Sequence, residues 1–267
     1  MAASTFLSHE VSVRLIAFAI ILALLGLWEH RAVIPVARIS PALRWSSNFG
    51  MGLLDTLIVR WIFPAGAVTA AVMAAKQHMG LFNQLPLTGS GVFLASFALL
   101  DLTIYAQHRL LHVLPWLWRV HRVHHADPEV DVSTALRFHP LESVLSMLLK
   151  AGAVLAFGMP PSSVLAFEIV LNGAAMFNHT NASLPARWER WIRLAIVTPD
   201  MHRIHHSIDI ANANRNFGFC VPWWDRLFGS YRAPGGVAVR SSVGLPDAPA
   251  TPEHVRLPML LLMPFRR

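Results

Sequence analysis

Val11 to Trp28 is a near-continuous apolar run of 18 residues. As helix, at about 1.5 Å per residue, it crosses most of a hydrocarbon core of roughly 30 Å. Arg14, near its start, can snorkel toward the headgroups. No small-residue Ala-x-Ala motif closes the run, so it reads as a retained anchor rather than a cleaved signal peptide. Met51 to Ala75 reads as a second span, with Asp55 and Arg60 toward its first end, and Val92 to Ala106 as a third. Two shorter arms, Val144 to Phe157 and Val164 to Phe177, flank Pro160-Pro161, which enforces a turn. Arms of this length reach only about 21 Å as helix, and Lys150 and Glu168 lie inside them, so they read as a re-entrant or tilted hairpin.

Composition supports lipid as the solvent. Only 14% of the 267 residues are charged and 54% are apolar, too few polar groups to cover a soluble domain of this size. The net charge of +7 comes from arginine, which supplies 20 of the 22 basic residues. A nucleic-acid binder has no need of the apolar runs, so the arginines read as topology signals and headgroup contacts, with no nucleic acid among the partners. Arg31, Arg38 and Arg44 lie in the first connector, against Lys76 alone in the next. The positive-inside rule then makes the first connector cytoplasmic, the N-terminus external, and everything after Ala106 cytoplasmic. The single thiol, Cys220, builds neither a disulfide nor a thiolate cluster, which leaves any metal to other ligands.

Those ligands stand out. His108 and His112 form H-x-x-x-H; His121, His124 and His125 form H-x-x-H-H; His179 stands in Asn178-His179-Thr180-Asn181; and His202, His205 and His206 repeat H-x-x-H-H. Spacings of three and four put imidazoles on one helical face, where two or three converge on a point. A structural zinc closes with four ligands and a catalytic zinc keeps three, whereas two metals at roughly four to five nitrogens each use all nine. His139, followed by Pro140, stands between ligand and turn residue. His9, His30, His78 and His254 are isolated and read as bystanders. Asp101, Tyr105, His108 and His112 form one helical stripe, and a carboxylate at membrane depth needs a partner such as a metal-bound imidazole. Glu168, Asn172 and His179 form a similar stripe.

At these residues the chain resembles the fatty acid hydroxylase/sterol desaturase superfamily of integral membrane di-iron oxygenases. The resemblance runs from Asp101 to Ser230. It includes Asp101-x-x-x-Tyr105-x-x-His108-Arg109-x-x-His112, His121-Arg122-Val123-His124-His125, Arg137-x-His139-Pro140-x-Glu142, His179-x-Asn181, His202-Arg203-Ile204-His205-His206, and the closing Asn214-Arg215-Asn216-Phe217-Gly218 with Trp224-Asp225-Arg226-Leu227-Phe228-Gly229.

The resemblance implies an O2-dependent hydroxylase or desaturase acting on a membrane lipid, such as a fatty acyl chain or sterol. Two iron ions would sit on His108, His112, His121, His124, His125, His139, His179, His202, His205 and His206, with Asp101, Tyr105 and Asn181 as catalytic residues. Imidazole itself suits iron, zinc, copper or nickel, so iron is the resemblance's contribution. The chain has no Gly-x-Gly-x-x-Gly, Cys cluster or fused haem module, so electrons would come from a separate ferredoxin or similar reductase. The competing readings are a non-enzymatic haem-binding electron carrier or a metal transporter, which would carry histidines within the spans, and a zinc hydrolase, which would need His-Glu-x-x-His. The expected architecture is an all-α integral membrane protein with three spanning helices, a short apolar hairpin and a cytoplasmic helical cap carrying the histidine boxes. Residues 1–267 form a single domain, with anchor spans in 1–90 and the catalytic region in 101–231. The expected location is the inner (cell) membrane.

Overall fold

The computed structural model describes residues 9–32, 39–64, 66–235 and 242–266. Among these there is no strand, only one isolated antiparallel bridge between Ser207 and Val243. The helices are α1 (Glu10–Ala32), α2 (Pro41–Ile62), α3 (Gly66–Lys76), the single turn α4 (Leu81–Gln84), α5 (Ser90–Val113), α6 (Pro115–His125), α7 (Pro140–Phe157), α8 (Pro161–His179), α9 (Ala186–Ile192), α10 (Pro199–His205), α11 (Ile210–Ala213), α12 (Trp223–Leu227) and α13 (Leu257–Leu262), with 3-10 turns at Val132–Leu136 and Met263–Phe265. Among the described residues, four stretches are long and apolar enough to cross a membrane: Glu10–Arg31, Pro41–Gln84, Ser90–Val113 and Pro140–Phe157. The most apolar window of α1 buries no residue inside the protein, and Trp61 on α2 is 84% exposed. Such faces are stable against lipid and unstable in water.

Prolines set the helix boundaries. Pro115 cannot continue α5, because it lacks an N–H and crowds the preceding turn, yet it suits the first position of α6. The histidines at the end of α5 are thereby folded back against those of α6. Pro64 divides the second expected span into α2 and α3. The hairpin arms extend beyond their apolar cores, to 18 residues in α7 and 19 in α8, or about 27 and 28 Å of helix. Gly158 (φ 64°) turns the chain between them and meets Gly80 (φ 87°) in the α3–α5 connector, where a Cβ on Gly80 would lie 2.1 Å from Gly158 N. The hairpin tip therefore meets the α3–α5 connector.

The charges that suggested a shallow hairpin neutralise one another. Glu168 accepts from Lys150 Nζ at 2.8 Å and from Arg14 Nη2 at 2.6 Å. Arg14 thus turns into the bundle instead of snorkelling. Arg44, expected to be a free loop charge, is buried on α2. Its guanidinium donates to Asp127 Oδ1 at 2.8 Å, to Asp131 Oδ2 at 2.7 Å and to the carbonyl of Glu129. Asp127 also accepts from Thr134 Oγ1 and Asn48 Nδ2. Burial alone would raise the Asp127 carboxyl, but Arg44 and Arg137 outweigh it and hold it well below the usual carboxylate range. Arg38 lies outside the described residues.

Removing one member of a buried charge cluster strands the others, a loss of about 3–5 kcal/mol, whereas an exposed pair contributes about 0–1 kcal/mol. Arg44→Met is therefore expected to lower the thermal unfolding midpoint in detergent micelles sharply. Arg122→Met, which breaks a pair with the exposed Asp247, should leave it nearly unchanged.

Candidate metal centre

Nine histidines from α5, α6, α8 and the α10 region converge in two groups. His108, His112, His121, His125 and His205 form one; His124, His179, His202 and His206 form the other. Within each group, one ring nitrogen per residue lies within 4.8 Å of every other. All nine except His112 are buried. The i, i+3, i+4 spacing splits each H-x-x-H-H block between groups: His121 and His125 face one, His124 the other; His202 and His206 face the second, His205 the first.

Hydrogen bonds fix which nitrogen each ring presents. A backbone carbonyl only accepts, so His108 Nδ1 donates to Phe217 O at 2.7 Å, His205 Nδ1 to Arg215 O at 2.8 Å and His179 Nδ1 to Ala175 O at 2.6 Å. Each then offers a bare Nε2. His121 Nδ1 meets Glu142 Oε1 at 2.9 Å. In the first group the Nε2 atoms of all five histidines are buried without a hydrogen-bond partner. In the second, the Nε2 of His179 lies 3.0 Å from those of His124 and His202 and 3.1 Å from that of His206. Nitrogens about 2.1 Å from a tetrahedral metal lie about 3.4 Å apart, close to this spacing. One lone pair facing three further ring nitrogens suits a shared cation better than a shared proton. Burial, followed by the neighbouring imidazoles, holds His121, His124, His125, His202 and His206 well below the ordinary histidine value. For His205 the order is burial, then His108 and His112. The rings are neutral, the form that binds metal.

The carbonyls that aim His108 and His205 belong to the segment Asn214–Gly218, and Asp225 clamps it. Asp225 accepts from Phe217 N and Gly218 N, both at 2.8 Å, and from Ser230 Oγ at 2.6 Å. A side chain at Gly218 would meet Val221 O at 2.7 Å and Asp225 Oδ2 at 2.9 Å, so the clamp closes only on glycine. Asn216 adopts φ 54° and accepts from Arg232 N.

The remaining expected site residues lie elsewhere. Asp101 is buried but touches no imidazole; it accepts from Trp224 Nε1 at 2.9 Å and Cys220 N at 3.3 Å. Seven residues of helix, about 10 Å, separate it from His108, too far for the orienting bond expected of it. Tyr105 shares a 2.8 Å hydrogen bond with Ser230 Oγ and stacks on Phe228. Asn181 donates its backbone N–H to Glu29 and accepts from Arg203 Nη2 at 2.6 Å. His139 stands outside both groups: it caps α7 by accepting from Leu141 N and turns its Nε2 toward Leu261 O. Its proline neighbour marked that turn role. The carboxylate that does meet a candidate ligand is Glu142, in the first turn of α7. Glu29 is a second carboxylate that the sequence left without a role, and its Oε2 gathers the backbone N–H groups of Val132 and Asn181.

Next to His108 and His121 lies a cavity of about 330 Å³. Thr56, Val59, Met147 and Asn172 line both it and a second cavity of about 550 Å³ beneath α1 and α2. The exposed Leu15 and Leu53 border the second, so the two adjoining cavities lie between the exposed face of α1 and α2 and the first histidine group.

This arrangement agrees with the comparisons. The fatty acid hydroxylase family matches residues 93–230, and the chain belongs to it. With its four apolar helices it is an integral membrane protein. An ornithine lipid hydroxylase OlsE of Rhizobium tropici is 29% identical over 176 residues, covering 64% of this chain and 51% of that protein. Human alkylglycerol monooxygenase is 31% identical over 203 residues, 74% of this chain and 42% of its own. Human cholesterol 25-hydroxylase is 25% identical over 138 residues, 50% of this chain and 48% of its own. The chain spans about half the length of these curated relatives. No solved structure matches it.

Each group has the donor set for one ion, which predicts two metal ions per chain. Purified protein analysed by plasma emission should hold close to two equivalents, falling in His124→Ala and unchanged in His139→Ala and His254→Ala. Glu142→Gln should weaken metal affinity about 10- to 100-fold by releasing His121.

Proposed function

We propose that this chain is an O2-dependent lipid hydroxylase with two iron ions, one on each histidine group. The observation that carries the reading is the pair of adjoining cavities between the exposed Leu15 and Leu53 and the candidate ligands His108 and His121. Iron would supply reduction of O2 and removal of hydrogen from an unactivated C–H bond, chemistry no side chain provides. Overall, a lipid C–H, O2, two electrons and two protons give the lipid alcohol and water. The electrons require a separate donor, a ferredoxin or similar reductase. The protein's own task is to aim neutral imidazoles, through Phe217 O, Arg215 O and Glu142, and to exclude water from the chamber. Hydroxylation is favoured over desaturation because the relatives named above are hydroxylases and monooxygenases. A bis-histidine haem takes two axial nitrogens on opposite faces of the porphyrin plane, whereas here four and five ring nitrogens gather in each group.

Residues 1–267 act as one catalytic domain, with anchors in 1–90 and the metal-binding region in 101–231. The histidines face the cytoplasm at the inner membrane. Arginines after Ala106 support this orientation, and the meeting of Gly80 with Gly158 sets the hairpin tip at the end where the α3–α5 connector lies.

Two measurements test this. In membranes given a reductase system and 18O2, the lipid fraction should gain one labelled oxygen atom, and His124→Ala should abolish the gain; label arriving from water instead would overturn the oxygenase reading. A reporter after Tyr231 should read cytoplasmic and one between Gln77 and Ser90 external, the reverse pattern inverting the orientation.

A further inference from the structure

The chamber beside His108 and His121 is more polar than an alkyl chain requires. Ile104, Leu111 and Leu171 give it apolar walls, yet Asp55, Gln107 and Glu142 also line it. One oxygen of each, Asp55 Oδ1, Gln107 Oε1 and Glu142 Oε2, is buried and has no hydrogen-bond partner. Gln107 and Glu142 are themselves 7% and 5% exposed. Ser146 and Asn172 also line the chamber, and three further donors beside it are committed elsewhere. Ser143 Oγ donates to the other oxygen of Asp55 at 2.7 Å, Thr56 Oγ1 to Gly52 O at 2.8 Å, and Lys150 Nζ to Glu168 at 2.8 Å. Glu142 Oε1 is taken by His121. Buried acceptors of this kind are satisfied in folded proteins by a protein group, a water or a ligand.

Resting on the oxygenase reading above, we propose that the chamber selects a lipid bearing a hydrogen-bond donor, a hydroxyl or an ammonium group, close to the carbon presented to the five-histidine group. Asp55, reaching in from α2, and Glu142, from α7, receive that donor, while the apolar walls and the adjoining cavity beneath α1 hold the chain. An ether oxygen, an ester or a methyl group brings no N–H or O–H, and leaves these oxygens unmet. A site built around such a bond discriminates strongly against analogues that lack it.

The test measures binding rather than turnover. Metal-loaded protein in nanodiscs is titrated with radiolabelled 1-hexadecanol, hexadecylamine and methyl hexadecyl ether, which share a chain and differ in the donor. The alcohol, the amine or both should bind about tenfold or more tightly than the ether, as expected for one well-made hydrogen bond. Asp55→Leu should bring every probe to the level of the ether. Asp55→Asn, which keeps an acceptor but loses the charge, should spare the alcohol and weaken the amine, separating hydroxyl from ammonium recognition. Equal binding of the three probes to the unaltered protein overturns the proposal, as does an unchanged preference in an Asp55→Leu protein that keeps its metals. Should Asp55→Leu lose them, the unaltered protein's ranking of the probes decides alone. Donor-selective binding with no oxygen transferred to any probe would sink the oxygenase reading and leave the chamber assignment standing; oxidation of alcohol and ether at equal affinity would do the reverse.

Discussion

Eight buried imidazoles and a ninth half-buried one, packed within contact of each other, cannot be satisfied by the protein that surrounds them. Each ring has two nitrogens, and a neutral ring carries one donor and one bare lone pair. Where a carbonyl takes the donor, as at His108, His179 and His205, the lone pair is left pointing at other lone pairs. Protonating the rings would put several like charges in a dry interior, which burial forbids. A cation in each group would resolve the conflict, and the rest of the molecule holds the rings where one could bind.

Those supports come from every part of the chain. The Pro115 break folds α6 back on α5. The Asp225 clamp fixes the carbonyls of Arg215 and Phe217, Tyr105 ties to that clamp through Ser230, and Asp101 holds Trp224 behind it. On the far side of the α6 histidines, Arg44 binds Asp127 and Asp131, while Arg137 donates to Val123 O within the histidine box itself. The charged cluster thus sets the loop that leaves His125. Asp101 and Tyr105, which look catalytic by proximity in sequence, hydrogen-bond to Trp224, Cys220 and Ser230 of the segment that follows the last histidine block.

The histidines were legible in the sequence because their chemistry is local: spacing of three and four fixes a helical face whatever the tertiary fold. The division of each H-x-x-H-H block between two groups follows from that spacing, but which rings pair across helices does not. Asp101 shows the limit. Its stripe with His108 is real, but a helical stripe says nothing of depth, and the ring it was expected to orient is served by a carbonyl from residue 217. Arg44 shows another. An arginine between two apolar runs reads as a loop charge, and only the folded chain brings three acidic residues of a distant loop around it. Lys150 and Glu168 suggest a shallow hairpin when each is taken singly, whereas in the folded chain Glu168 pairs with both Lys150 and Arg14, which lowers the cost of burying them.

The helices of residues 1–90, read as anchors, turn out to shape the site. Gly52, Asp55, Thr56 and Val59 on α2 line the chamber, Arg14 on α1 lines the outer cavity, and Glu29 near the end of α1 gathers the backbone of Val132 and Asn181. This segment contributes cavity wall rather than members of the two histidine groups. Metal geometry tolerates little variation in ligand type or spacing, so it leaves boxes in a sequence. A chain-binding wall needs only apolar residues of suitable size, with an occasional polar group facing inward, and such a wall is written in the same letters as any membrane helix. The division follows from that contrast: α5, α6, α8 and the α10 region bring the histidines together, and α1, α2 and α7 supply walls of the cavities beside them.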